Sequence, residues 1–164
     1  MEIKNSFSWR KVFIRAYLAG FLVFLLGGLM PTEVNAKNES TEILEIPAID
    51  LVTDVVVARR EGDRLVVPDN NVGSYSRANN KTLLVGHSST IFDKLDEVHV
   101  DDVLVYGAHQ YVVENIEVLL KDEIEMRKIL KTETSDTVVL MTCAGEDLGN
   151  GDATHRLIIT AKKA

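Results

Sequence analysis

Residues 137–159 read TVVLMTCAGEDLGNGDATHRLII. Two apolar runs flank a stretch of Gly, Asp and Asn, the pattern of two buried strands joined by a loop. The first run ends at Cys143, the only cysteine in the chain, and Arg156 opens the second run thirteen residues later. A cysteine at the C-terminal end of a buried strand has two readings. It is a packed and inert thiol, or it is a nucleophile facing a cleft.

The same alternation of β-type runs and turn residues extends through the chain. Strands are expected at 43–49, 51–58, 64–67, 82–85, 103–106, 111–120, 137–142 and 156–161. Glu61-Gly62-Asp63 and Pro68-Asp69-Asn70-Asn71 are turn clusters, and Gly107 to Gln110 reads as a hairpin connection. Helix signals are few. Residues 122–131 carry acids at the start and bases at the end, as the helix dipole favours, and residues 90–98 suit a short helix with Phe92 and Leu95 inward. A mainly β chain with about eight short strands and one or two short helices suggests a closed barrel or a sandwich.

The N-terminus differs from the rest. Lys4, Arg10, Lys11 and Arg15 precede an uncharged apolar stretch at 16–30, then Pro31 and the small-residue spacing Val34-Asn35-Ala36. This is the three-part pattern of an export signal. The apolar stretch is shorter than the ~18 residues of a comfortable membrane span. A cleaved signal peptide and an uncleaved anchor both fit, and either sends the C-terminal part across the membrane. The expected organisation is therefore a signal or anchor at 1–36, a polar tether at 37–42 and one domain at 43–164. Residues 37–164 carry 14 Lys and Arg against 23 Asp and Glu, a formal charge of −9. That argues against a nucleic-acid partner and against adhesion to anionic lipid. One cysteine in an exported chain forms no internal disulfide.

A nucleophilic thiol reacts as the thiolate and needs a nearby acid/base, most naturally histidine. Of four histidines, His99 lies in a charged stretch, His109 in the hairpin turn and His155 beside Arg156. His87 follows the apolar Leu83-Leu84-Val85-Gly86 and leads into Ser88-Ser89-Thr90, so it stands where a buried strand runs into a loop. Its bland reading is a hydrogen-bonded loop histidine. Acyl transfer also needs a donor for the developing oxyanion. Arg156 stands at a strand start whose following residues, Leu157-Ile158-Ile159, pin the backbone in the core. Its bland reading is a strand-edge charge facing water. Together the three side chains supply a nucleophile, an acid/base and an oxyanion donor, provided the fold brings them to one rim.

In this order the residues resemble a known family. From about 43 to 161 the chain resembles the sortases, cysteine transpeptidases of bacterial cell surfaces. Their TLxTC motif reads Val139-Leu140-Met141-Thr142-Cys143 here, with Val for the first Thr. Their GH dipeptide after an apolar strand is Gly86-His87, and their RLIV strand is Arg156-Leu157-Ile158-Ile159. Phe92 to Leu95 resembles FxxL, and Glu45-Ile46-Pro47-Ala48-Ile49 resembles the early IPxI. Val100-Asp101-Asp102-Val103 resembles the GDxIxV stretch, with Asp101 in the glycine's place.

The resemblance implies a closed eight-stranded β-barrel. It implies that Cys143 attacks an LPxTG-like sorting motif to form a thioester, with His87 as acid and then base. Arg156 would bind substrate or oxyanion, Thr142 and Ser88 would line that site, and residues 122–131 would wall the substrate groove. The implied partners are surface proteins with a C-terminal sorting motif and an amine acceptor, with no metal or other cofactor. The implied location is the cell membrane, through an uncleaved N-terminal anchor, with the catalytic domain outside the cytoplasm. Three alternatives stay open. An L,D-transpeptidase fits poorly, because Met141-Thr142 precede the cysteine where that family has Ser-His-Gly, and Arg156 is far downstream. A hydrolase on the same fold keeps all three residues. A membrane-tethered binding module treats Cys143 as inert.

Overall fold

The computed structural model describes residues 42–164, apart from Asp63, Asn79 and Asn150. The expected signal or anchor at 1–36 and nearly all of the 37–42 tether lie outside the described residues. Ten strands are described: β1 (Glu42–Ile46), β2 (Leu51–Val57), β3 (Arg59–Glu61), β4 (Arg64–Val66), β5 (Val72–Ala78), β6 (Lys81–Val85), β7 (Val103–Tyr106), β8 (His109–Leu120), β9 (Thr137–Asp147) and β10 (Ala153–Lys163). Eight of them close a barrel in the order β1-β2-β5-β6-β9-β10-β8-β7, with β7 returning to β1. β2–β5 and β6–β9 are parallel, and the remaining barrel pairs are antiparallel.

The expected count of eight barrel strands is right, but the membership differs. The 64–67 run is β4, which pairs only with β3 in a separate hairpin. Its place in the barrel is taken by β5, VGSYSRA, which composition gives as no strand. β5 forms because β2 and β6 supply hydrogen-bonding partners on its two sides. The first strand stops at Ile46, where Pro47 begins a 3-10 turn, since proline has no N–H to give a ladder. Residues 122–131 are not one helix but a 3-10 turn at Lys121–Glu123 and a single helical turn, α1 (Met126–Ile129). Residues 90–98 likewise hold only turns and a 3-10 stretch at Leu95–Glu97. No helix among the described residues is long and apolar enough to cross a membrane.

Two apolar layers follow from strand alternation. The barrel interior holds Leu44, Ile46, Leu84, Leu104, Leu140 and Ile159, joined by Phe92 and Leu95 as the sequence suggests. The outer faces of β6, β9 and β10 are apolar too: Leu83, Val85, Val139 and Ile158 form a second cluster. This is why residues 138–141 are hydrophobic on consecutive positions, as in strands covered on both sides. The cover comes from Leu65 and Val67 on one side and from Ile124, Met126, Ile129 and Leu130 on the other.

The hairpin between β7 and β8 pairs Tyr106 with His109, leaving a two-residue turn at Gly107-Ala108 in which Gly107 has φ +59°. Asp101, which stands where the resemblance expects glycine, has φ +75°. Its N–H donates to the Val113 carbonyl at 2.9 Å, so the backbone is held in a left-handed conformation that disfavours a Cβ. Asp101→Gly is expected to raise stability by about 0.5–1 kcal/mol, seen as a higher urea midpoint at unchanged slope.

Candidate active site

On β9, Val138 and Leu140 belong to the inner cluster and Val139 and Met141 to the outer one. Alternation then turns Thr142 inward and Cys143 outward. On β10, Leu157 and Ile159 face inward and Ile158 outward, so Arg156 is outward as well. Arg156 is the register partner of Cys143, which makes the two cross-strand neighbours on the outer face. β6 runs parallel to β9 with Val85 opposite Met141, and two residues beyond each stand His87 and Cys143.

The join between the end of β6 and the middle of β9 is tied twice. Gly86 N–H donates to the Met141 carbonyl at 3.4 Å, and the buried Thr142 hydroxyl donates to the Gly86 carbonyl at 2.8 Å. Thr142 thus spends its one proton on the backbone just before His87. Glycine is required at 86 by space: a Cβ there would lie 2.7 Å from both Ile91 Cγ2 and Phe92 Cδ2. Phe92 is in the core and has nowhere to go. Gly86→Ala is therefore expected to destabilise by about 1–3 kcal/mol and to displace His87, read as a lower thermal midpoint together with a slower peptide-cleavage rate.

Two hollows meet at the cysteine. A cleft of about 460 Å³ is lined by His87, Ser88, Thr142 and Cys143, with Asp93, Asp96, Asp147 and Asp152 giving it an acidic wall. A recess of about 170 Å³ is lined by Val67, His87, Cys143, Asp152 and Arg156. Cys143 is half-buried, His87 likewise, and Ser88 is exposed. Cys143, His87, Thr142 and Ser88 are thus together on the larger cleft, and Arg156 joins Cys143 and His87 in the recess. His99 and His109 are exposed and line neither. His155 lies beside Arg156 with its Nδ1 2.8 Å from Thr154 Oγ1, and also lines neither. Farther along the outer face, residues 117–129 flank a third hollow of about 350 Å³ floored by Val139 and Ile158. Among the described residues no three His, Cys, Asp or Glu side chains are grouped to hold a metal ion.

The Arg156 side chain is only 16% exposed. Its Nη1 donates to the Ala153 carbonyl at 2.9 Å and the His155 carbonyl at 2.8 Å, and its Nη2 to Asp152 Oδ1 at 2.6 Å. The other Asp152 oxygen accepts from Lys121 Nζ. The hydrogen bonds from Lys121, then from Arg156 and from the Ala153 N–H, hold the Asp152 carboxyl far below the usual carboxylate range. A carboxyl with a lowered value keeps its pairing above the ordinary value and releases it only in strong acid, so Asp152 stays ionised throughout the neutral and mildly acidic range. Asp152 was not legible as a site residue within a run of loop-forming Gly, Asn and Asp. The signal that could have found it is an acid four residues before an arginine at a strand start.

The sortase domain, as a family, matches residues 44–164. Among curated proteins none matches the chain. Several solved structures share the fold. A lid mutant of sortase A from Corynebacterium diphtheriae is 23% identical with a TM-score of 0.60, over 76% of this chain and 69% of that one. Sortase C-1 from Actinomyces oris is 22% identical with a TM-score of 0.57, over 75% and 72%. Sortase C from Clostridium perfringens is 21% identical with a TM-score of 0.55, over 74% and 68%.

Proposed function

The chain belongs to the sortase family, and we propose that it is a membrane-tethered cysteine transpeptidase using Cys143, His87 and Arg156 on sorting-motif peptides. Sortases are transpeptidases of the cell surface, with surface proteins carrying sorting motifs as their substrates. In this reading the Cys143 sulfur attacks the scissile carbonyl of an LPxTG-like motif. A C–S bond forms as the C–N bond breaks, and His87 gives its proton to the departing amine. The thioester is then attacked by an incoming amine, whose proton passes to His87 as the C–S bond breaks. Arg156 receives the oxygen that becomes negative in each step. Ser88 and the backbone around Thr142 line the place where that oxygen sits. The basic and apolar segment before residue 37 tethers the domain outside the cytoplasm.

The observation that carries this reading is the adjacency of Cys143 and Arg156 in register, with His87 in the same recess. The acidic wall of the larger cleft also supports an amine acceptor, because its potential favours a protonated amine over an anion. The test offers the full chain a panel of sorting-motif peptides, with and without a primary amine, and follows products by mass spectrometry. A covalent acyl adduct on Cys143, and a peptide–amine product formed only when amine is present, are expected. A hydrolysed peptide in both cases would mean that water resolves the thioester. The absence of any adduct from a thiol that reacts with small alkylating agents would count against the acyl-transfer reading altogether.

A further inference from the structure

Arg156 has five N–H groups, and the folded chain uses three of them. Two go to carbonyls of its own strand, β10, and one to Asp152. The Nε–H and the second Nη2–H remain for a ligand. Such a division needs the guanidinium plane to be fixed, and the two carbonyls engage only one of its nitrogens. The remaining restraint is Asp152, which holds the other terminal nitrogen at 2.6 Å.

Asp152 is itself held from three directions. One oxygen accepts from both Arg156 and the Ala153 N–H, and the other accepts from Lys121. Its own carbonyl accepts the Leu148 N–H at 2.9 Å, which closes the loop between β9 and β10. Lys121 belongs to the turn that opens the segment packed over the barrel's outer face. An exposed ion pair alone contributes little. This one differs in that Arg156 is largely buried and shares both strand register and a recess with the cysteine.

We propose that Asp152 is the positioning residue for Arg156: it fixes the guanidinium plane beside Cys143 so that two N–H groups stay free for the reacting carbonyl, with Lys121 as its counter-anchor. The proposal deepens the acyl-transfer reading and rests on it. Asp152 lines both hollows, and its part in the acyl step is played through Arg156. Its effect is felt when negative charge develops on oxygen, so it bears on kcat more than on KM.

The test uses the purified full-length chain and the sorting peptide that wild type turns over best. Asp152→Ala is expected to lower kcat by about 10–100-fold while KM changes less than about twofold, as small misplacements of a catalytic group do. Asp152→Glu is expected to recover part of the loss. The pair Asp152→Ala with Arg156→Ala is expected to be no slower than Arg156→Ala alone, because the two residues act as one unit. Should Asp152→Ala not fold, the similarly sized Asp152→Leu, which offers Arg156 no side-chain acceptor, carries the same comparison. Additive losses in the double variant, or a kcat within about twofold of wild type in the single one, overturn the proposal.

A substrate-free reading separates this from failure of the function itself. In nitrogen-15 NMR the Arg156 Nε–H is expected to be rigid in wild type and mobile in Asp152→Ala. If wild type acts on no peptide yet shows this change, the clamp stands and the substrate assignment falls. If Arg156 is equally mobile in both proteins, the clamp falls whatever the enzyme does.

Discussion

Cys143→Ala is expected to lower peptide cleavage and amine transfer by at least about 10⁴-fold, as removal of a covalent nucleophile does when binding elements are left intact. The protein should remain folded. Cys143 is half-buried on the outer face, and the barrel interior is packed by its neighbours Leu140 and Leu157 instead. Removing the thiol there and leaving a methyl side chain is expected to change stability by less than about 1 kcal/mol. The two effects together are diagnostic: a large loss of turnover with a native melting curve assigns the sulfur to chemistry. An inert thiol makes the opposite prediction, with ligand binding and cell phenotype unchanged in the variant. The measurement is a progress curve on sorting peptide together with a mass-spectrometric search for the acyl adduct. Cys143→Ala retaining more than about a tenth of wild-type turnover would remove this residue from the mechanism.

The order of chemistry-bearing residues was legible because it depends on strands that are apolar on both faces. Residues 82–85 and 137–142 read as buried without knowledge of their partners, and the parallel pairing of β6 with β9 then brings His87 and Cys143 to the same end. The register of β9 with β10 was not legible, since the connecting loop sets it and loops carry no periodicity. That register sets Cys143 opposite Arg156 rather than one residue off, where the two would face opposite sides of the sheet. β5 was missed for a related reason. Its Gly73, Ser74 and Ser76 are poor strand formers, and it is a strand because two neighbours pair with it. The 122–131 segment shows the reverse error. Its charges are arranged as in a helix, but Ile124, Met126, Ile129 and Leu130 all pack onto the barrel. A single turn at Met126–Ile129 suffices for that, and so short a helix has little stability of its own. The outward-facing position of the site follows from the same double-sided burial; Val67, just past the β3–β4 hairpin, lines the recess beside Cys143, whereas the 121–131 segment lines neither hollow at the cysteine and borders the separate one over Val139 and Ile158.

His87→Ala is expected to slow acyl transfer by about 10²–10⁴-fold, the usual range for loss of a general acid/base. In the proposed mechanism, loss of His87 leaves the departing amine without its positioned proton source and the incoming amine without its base. The effect is separable from a structural one because the hydrogen bonds of His87 run through its backbone carbonyl. Its carbonyl accepts the Phe92 N–H at 3.0 Å and the Thr90 N–H at 3.3 Å, and both survive the substitution. The turn that seats Phe92 in the core should therefore persist, and the melting curve should move little. Coupling to the thiol is tested without any peptide by following alkylation of Cys143 against pH in wild type and His87→Ala. If the imidazole and the sulfur share a proton or a charge, the rate or its pH profile must change when the ring is removed. Superimposable profiles would mean that the two groups are neighbours on one cleft without being chemical partners. The proton would then have to come from elsewhere, and the acidic wall at Asp93 and Asp96 would be the first place to look. A thiol that reacts only after denaturation would be a graver result, since Cys143 could then meet no substrate while folded.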